Sequence, residues 1–327
     1  MHKVYGIAIR KGGQGKSTTV ATLARLCALY GARVLVVDLA QPGTATASLR
    51  NLWPETEHGE VSDALMAFHL LPAGTPPGRD DARAQLRASG LPVMLASQPS
   101  WSGGYIAVLP WDELLADGAA HLRSERVLAG LLDALAMEID VVLLDCPAEA
   151  GPLLTNALAC TPRIIVPLVA EAPALEGLEV TLRLLRQVRA SGLPNTLGGI
   201  VVTRCDPKNR RALEIVQTIL HSGTIEGEPL GQRLLPFAIR QNEFFEQSFR
   251  FGEAIWERTA NPTHWAGYVL LAEWLLRDAG LAHLAENRRG PALLPPDTRV
   301  LNVSALMLTE PEVQLADFAK AHVAPRS

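Results

Sequence analysis

The sequence predicts a doubly wound α/β fold, a mostly parallel sheet flanked by helices, and three observations point to it. Short apolar runs alternate with longer stretches of helical periodicity. Two of the runs, Val34-Leu35-Val36-Val37 before Asp38 and Val141-Val142-Leu143-Leu144 before Asp145, are apolar at every position. A parallel strand covered by helices on both faces requires this. A third run, Val4 to Ile9, feeds a glycine-rich turn that opens a helix. In chain order, a strand is expected over 4–9 and a helix over 16–30. The fully apolar runs give strands over 33–38 and 140–145, separated by a proline- and glycine-rich stretch of mixed charge near 71–104 and by helical spacing over 123–136. Strand 163–168, helix 175–190, strand 198–203 and helix 210–221 continue the alternation. A helix over 263–276 closes the compact part.

Composition narrows the function. The chain has 327 residues, 48% hydrophobic and 20% charged, so it can bury a full core and is neither disordered nor fibrous. A formal charge of -4 rules out a global basic field, and any nucleic-acid surface must be local. The cysteines, Cys27, Cys146, Cys160 and Cys205, form no C-x-x-C pair, which supports neither a zinc site nor a disulfide framework. No signal-peptide succession opens the chain and no apolar run reaches spanning length, so a cytoplasmic protein is expected. One domain is expected over 1–280, with a loop-rich surface insertion near 71–104. A Pro-rich extension, carrying Pro291, Pro295, Pro296 and Pro311, follows over 281–327 as an appendage.

The segment Lys11-Gly12-Gly13-Gln14-Gly15-Lys16-Ser17-Thr18 stands between a strand and a helix, the setting of a phosphate-binding loop. Two of the chain's 5 lysines lie in it, against 25 arginines elsewhere. Its glycines let successive backbone N–H groups turn inward, and the helix start adds partial positive charge. Lys16 is expected on the terminal phosphates and the Ser17 hydroxyl on Mg²⁺. Arg10 occupies the place of the first glycine in the usual G-x-x-x-x-G-K-[ST] pattern.

This loop resembles the deviant Walker A P-loop of ParA/MinD-type ATPases. The likeness continues through Asp38-Leu39-Ala40-Gln41-Pro42-Gly43, the Walker B-like run ending at Asp145-Cys146-Pro147, Leu153 to Leu158, and Ala174 to Leu178. The resemblance implies ATP and Mg²⁺ as cofactors and a homodimer formed on ATP binding, with Lys11 reaching the partner's phosphates. Asp38 and Asp145 would serve the metal, and Thr203, Arg204, Asp206 and Pro236 would lie near the base. It also implies a ParB-like or other adaptor protein, and DNA partition as the process.

The sequence departs from the family where a second aspartate should position the attacking water: Ala40 stands there. Slow hydrolysis follows, since a methyl group can neither orient water nor accept a proton. Gln41 next door is the visible substitute. A local basic face, Arg183, Arg186, Arg189, Arg204, Lys208, Arg210 and Arg211 against the single acid Asp206, suits nonspecific DNA and nucleoid association. The site residues chosen from it are Arg183, Arg186, Arg189, Lys208, Arg210 and Arg211. The tail over 312–322 is amphipathic but short and not basic, which disfavours the membrane anchoring of MinD relatives. Five of seven phenylalanines fall between Phe237 and Phe251, read as core packing along a helix face, with a partner-binding groove as the alternative.

Overall fold

A computed structural model describes residues 3–52, 94–97, 103–110, 128–129, 132, 139–193, 195–206, 209–221, 224–225, 228–286, 294–295, 298–303 and 323–325. Its centre is a parallel sheet. β1 (Lys3–Ile7) leads through a loop to α1 (Lys16–Leu29), then β2 (Arg33–Asp38) and α2 (Thr44–Leu49). β3 (Met94–Ser97), β4 (Tyr105–Leu109), β5 (Val141–Asp145), α3 (Pro152–Ala159), β6 (Arg163–Val169), α4 (Ala172–Ala190), β7 (Thr196–Cys205) and α5 (Arg210–His221) follow. After a short hairpin of β8 (Thr224–Ile225) and β9 (Glu228–Pro229) come β10 (Leu234–Arg240), α6 (Phe244–Phe251), α7 (Ile255–Arg258), α8 (Ala266–Asp278), α9 (Ala282–Glu286), β11 (Arg299–Asn302) and β12 (Val323–Pro325).

The main sheet runs β12-β11-β10-β7-β6-β1-β5-β2-β4-β3. Neighbours from β10 to β4 are parallel, while β3 and β11 pair antiparallel at the two margins. Alternate residues of each strand serve opposite cores, which is why the central strands are apolar throughout. Tyr5, Ile7, Val34 and Val36 pack with α1 and α8; Val4, Leu35, Val37 and Leu144 pack with α3 and α4. The chain leaves the centre in both directions from β1, so the carboxyl ends of β1, β5, β2 and β6 meet around one crevice.

The expected strands and helices are all present where the structure is described, with shifts of a few residues at their ends. Helix 123–136 is described only at Leu128, Ala129 and Leu132, each helical. Within the stretch 71–104, expected to be loop-rich, Met94–Ser97 is a strand that pairs with β4. The extension, expected as an appendage, joins the main sheet. β11 pairs with β10, the Val303 N–H donates to the Pro236 carbonyl at 2.8 Å, and β12 pairs with β11. Strands of three or four residues are too short to show a period, and their pairing comes from a sheet edge the sequence cannot display. The tail helix expected over 312–322 lies outside the described residues.

Candidate functional site

The turn between β1 and α1 takes its shape from its glycines. Gly13 and Gly15 adopt φ of 73° and 83°, the left-handed region glycine enters without strain. Gly15 caps α1 with no side-chain bond, which leaves the helix's first amide groups free to face an anion. Gln14 pins the loop from beneath. Its buried side-chain oxygen accepts the Val169 N–H at 2.9 Å, and its carbonyl accepts the Thr203 hydroxyl at 3.2 Å. The loop is thereby fixed across the ends of β6 and β7. Lys16 is buried, with its ammonium donating to the Lys11 carbonyl at 3.5 Å, while Ser17 and Thr18 are half-buried on the first helical turn.

Lys11 and Gly12 are exposed. The base of the Lys11 side chain rests on α4: a Cβ at Gly177 would approach the Lys11 Cβ to 2.8 Å. Only glycine lets α4 come this close to the loop.

Asp38 and Asp145 end adjacent strands in register, and both are essentially inaccessible at 1% and 0% exposure. They differ in partners. Asp38 accepts the Thr46 N–H at 2.8 Å, the Thr46 hydroxyl at 2.7 Å and the Ala40 N–H at 3.2 Å. Neither Asp145 oxygen completes a hydrogen bond. Burial raises the Asp38 carboxyl above its ordinary range, and the Thr46 and backbone bonds offset part of this. Asp145 is pushed up to about 8, first by burial and then by the Asp38 charge, with the nearby Ser17 hydroxyl and Lys16 ammonium pulling it back part of the way.

A buried carboxylate without a partner fits a cation. No group of three or more His, Cys, Asp or Glu capable of holding a metal occurs among the described residues. Mg²⁺ commonly takes one or two carboxylates plus phosphate oxygens and water, and Ser17, Asp38 and Asp145 suit that mode.

The raised Asp145 has a stability consequence. The folded chain holds this proton up to about pH 8 while an unfolded carboxyl releases it near 3.8. Asp145 therefore costs the metal-free fold nothing below about pH 4 and progressively more as pH rises toward 8. Asp145→Asn should melt several degrees above the parent at pH 8 and level with it near pH 4. Parallel melting curves across this range would contradict the assignment.

A cleft of about 1110 Å³ extends from the loop, wide enough for a nucleotide. Gly13 to Thr18, Thr44, Thr203 and Arg204 line one side; Arg240 to Phe245, Phe249, His264 and Tyr268 line the other. His264 stacks on Phe244 with centroids 5.1 Å apart, and Phe245 meets Tyr268 edge-on at 5.0 Å. The Tyr268 hydroxyl is 3.2 Å from the Thr19 hydroxyl, which ties this wall to α1. Burial, and then Arg240, hold His264 below its ordinary pKa, so the ring facing the cleft is neutral at pH 7.

Several sequence assignments change here. Thr203 and Arg204 line the cleft, with Arg204 at φ 49°, but Asp206 is exposed beyond it and does not. Pro236 lies within β10, which runs to Arg240; its carbonyl accepts the Val303 N–H and it does not line the cleft. The cleft end of that strand is Arg240-Gln241-Asn242. Phe244, Phe245 and Phe249 are half-buried and line the cleft as they pack on the core, so the expectation of core packing is only partly right. The missed signal was the polar run just after an apolar strand, where α/β sheets place ligands. Ala40 is buried, and Gln41 is exposed in the same turn and does not line the cleft.

The basic face is more engaged than charge counting suggests. Arg183 pairs with Glu179 at 2.9 Å, an exposed contact of little strength. The Arg186 Nε donates to the Leu182 carbonyl at 3.4 Å, and the Arg189 Nε to the Asn195 carbonyl at 2.9 Å, closing the turn into β7. Arg210 and Arg211 open α5. Lys208 lies outside the described residues.

With the geometry in place, likenesses to known proteins can be stated. A family model described as the CobQ/CobB/MinD/ParA nucleotide binding domain matches residues 5–249. The chromosome-partitioning ATPase Soj of Thermus thermophilus is 32% identical over 284 residues, which cover 83% of this chain and 95% of Soj. Among solved structures, an ATP complex of a McdA variant from Cyanothece superposes with a TM-score of 0.63 at 18% identity, covering 84% of this chain and 96% of McdA. The septum site-determining protein MinD of Pyrococcus horikoshii, complexed with Mg-ADP, does so with a TM-score of 0.59 at 17% identity, covering 86% and 99%. At such identities the two structures speak to the fold.

Proposed function

As the chain belongs to the CobQ/CobB/MinD/ParA family of nucleotide-binding domains, we propose that it is a ParA-type switch that dimerises on Mg²⁺-ATP, binds DNA nonspecifically and hydrolyses ATP slowly in DNA partition. The single observation that carries this reading is Asp145: buried, without a hydrogen-bond partner, beside Asp38 and facing the P-loop. Leaving such a group unpaired is unfavourable unless a ligand completes it. The Mg-ADP and ATP complexes of MinD and McdA support the same cofactors here.

Each residue then has a task. The amides of Gly12 to Thr18 cradle the phosphates, and Lys16 neutralises the charge between them. Ser17, Asp38 and Asp145 would hold Mg²⁺, whose charge would offset that of the phosphates. Thr46 and the Ala40 amide hold Asp38 in orientation. Lys11, outside its own loop, serves the phosphates of a second copy. DNA contacts fall to Arg186 and Arg183 on α4, to Arg210 and Arg211 at the start of α5, and to Lys208. An adaptor of ParB type would read the dimer, and a cytoplasmic, nucleoid-associated location follows. No described helix is long and apolar enough to cross a membrane. Ala40 also favours a second reading, a nucleotide-gated binding module without useful turnover.

Retention on DNA measured with ATP, ADP and no nucleotide at several salt concentrations tests the proposal. Retention with ATP alone, falling steeply with salt, is expected. Retention indifferent to nucleotide would refute it.

A further inference from the structure

Arg25, in the middle of α1, is 7% exposed, and no step above uses it. Its Nη2 donates to two carbonyls, that of Ser48 at 3.0 Å and that of Gly252 at 2.6 Å. These are the carboxyl-terminal ends of α2 and of α6, where backbone acceptors are left over and the helix dipole is negative. Burial lowers the guanidinium to about 10, and the neighbouring Glu257 opposes this, so it stays charged at neutral pH. Asn51, just past α2, adds a second link by donating to the Phe251 carbonyl. Gly252 sits at φ 65°, and a Cβ there would come within 2.8 Å of Asn51. The two helix ends are thus joined with no slack between them.

Both helices also line the nucleotide cleft, at different parts of it. α2 begins at Thr44, which lines the cleft, and its Thr46 holds the Asp38 carboxylate with two hydrogen bonds. α6 carries Phe244, Phe245 and Phe249, the aromatic wall on the far side. A cation held by Asp38 and Asp145 would draw on a carboxylate whose two oxygens already accept the Ala40 N–H and the two Thr46 donors, and so would bear on α2.

We infer that Arg25 is a positioning residue that couples the metal and phosphate end of the site to its aromatic wall, carrying a displacement of α2 to α6. The inference rests on the nucleotide reading above. Packed interiors pass such shifts on because they are not continuously deformable.

Amide hydrogen exchange of the full chain with Mg²⁺ and inorganic tripolyphosphate tests it. This probe has no base or ribose, so a response at α6 must travel through the protein. In the parent, the P-loop and the amides of Phe244–Phe251 should both change, the latter by about 5-fold or more in exchange rate. In Arg25→Met the P-loop response should persist while the α6 response falls below about 2-fold. Asn51→Ala, at an exposed position that the fold tolerates, should weaken the α6 response alone. An α6 segment that stays unresponsive in the parent while the P-loop responds would overturn the coupling, as would a full α6 response in both variants. A parent P-loop that ignores the probe would instead refute the nucleotide reading, and the coupling with it.

Discussion

Ala40→Asp speeds ATP turnover by about 100-fold, the scale of a positioned general base. Ala40 is buried at the end of β2, two residues from Asp38, and its amide already donates to that carboxylate. The backbone at Ala40 thus stands beside the aspartate pair, yet a methyl group offers nothing to an attacking water. Gln41 is exposed and outside the cleft, so Gln41→Ala is expected to leave the parent rate unchanged. Phosphate release measured for the three proteins at saturating Mg²⁺-ATP decides the matter. Equal rates for parent and Ala40→Asp would show that hydrolysis is limited elsewhere.

Lys11→Ala is expected to weaken dimerisation on ATP severely while leaving nucleotide binding by the single chain close to the parent's. Lys11 is exposed, its stem held against Gly177, whereas the buried Lys16 already occupies the loop. Removing one partner of a desolvated charge pair at an interface weakens association by about 2–5 kcal/mol, or roughly 30-fold to several thousand-fold. Light scattering for mass, beside calorimetry for ATP binding, separates the two effects. A Lys11→Ala chain that still dimerised with ATP would remove Lys11 from the interface.

Much of this was legible in the sequence, for identifiable reasons. The strands ending at Asp38 and Asp145 announce themselves because both faces are buried and every position is apolar. The P-loop does so because its glycines and lysines are dictated by backbone geometry and phosphate charge, which depend on local sequence. What stayed hidden depends on distant pairing. Nothing around Met94–Ser97 or Arg299–Asn302 shows that a sheet margin awaits them. The reach of β10 to Arg240, and with it the Arg240-Gln241-Asn242 side of the cleft, is set by pairing with β7 and not by apolar periodicity. The basic face, counted from Arg183, leaves out Glu179, which pairs with Arg183 from one helical turn earlier. Arg25 gave no signal, since an arginine on an apolar helix shows its importance only when the two carbonyls it joins are placed in space.

The central claim is that Mg²⁺-ATP converts this chain from monomer to dimer. Sedimentation equilibrium of the full chain at micromolar concentration measures it directly. The account expects a mass near 35.2 kDa without nucleotide or with ADP, and about twice that with Mg²⁺-ATP. One mass under all three conditions, whether monomer or dimer, would contradict it.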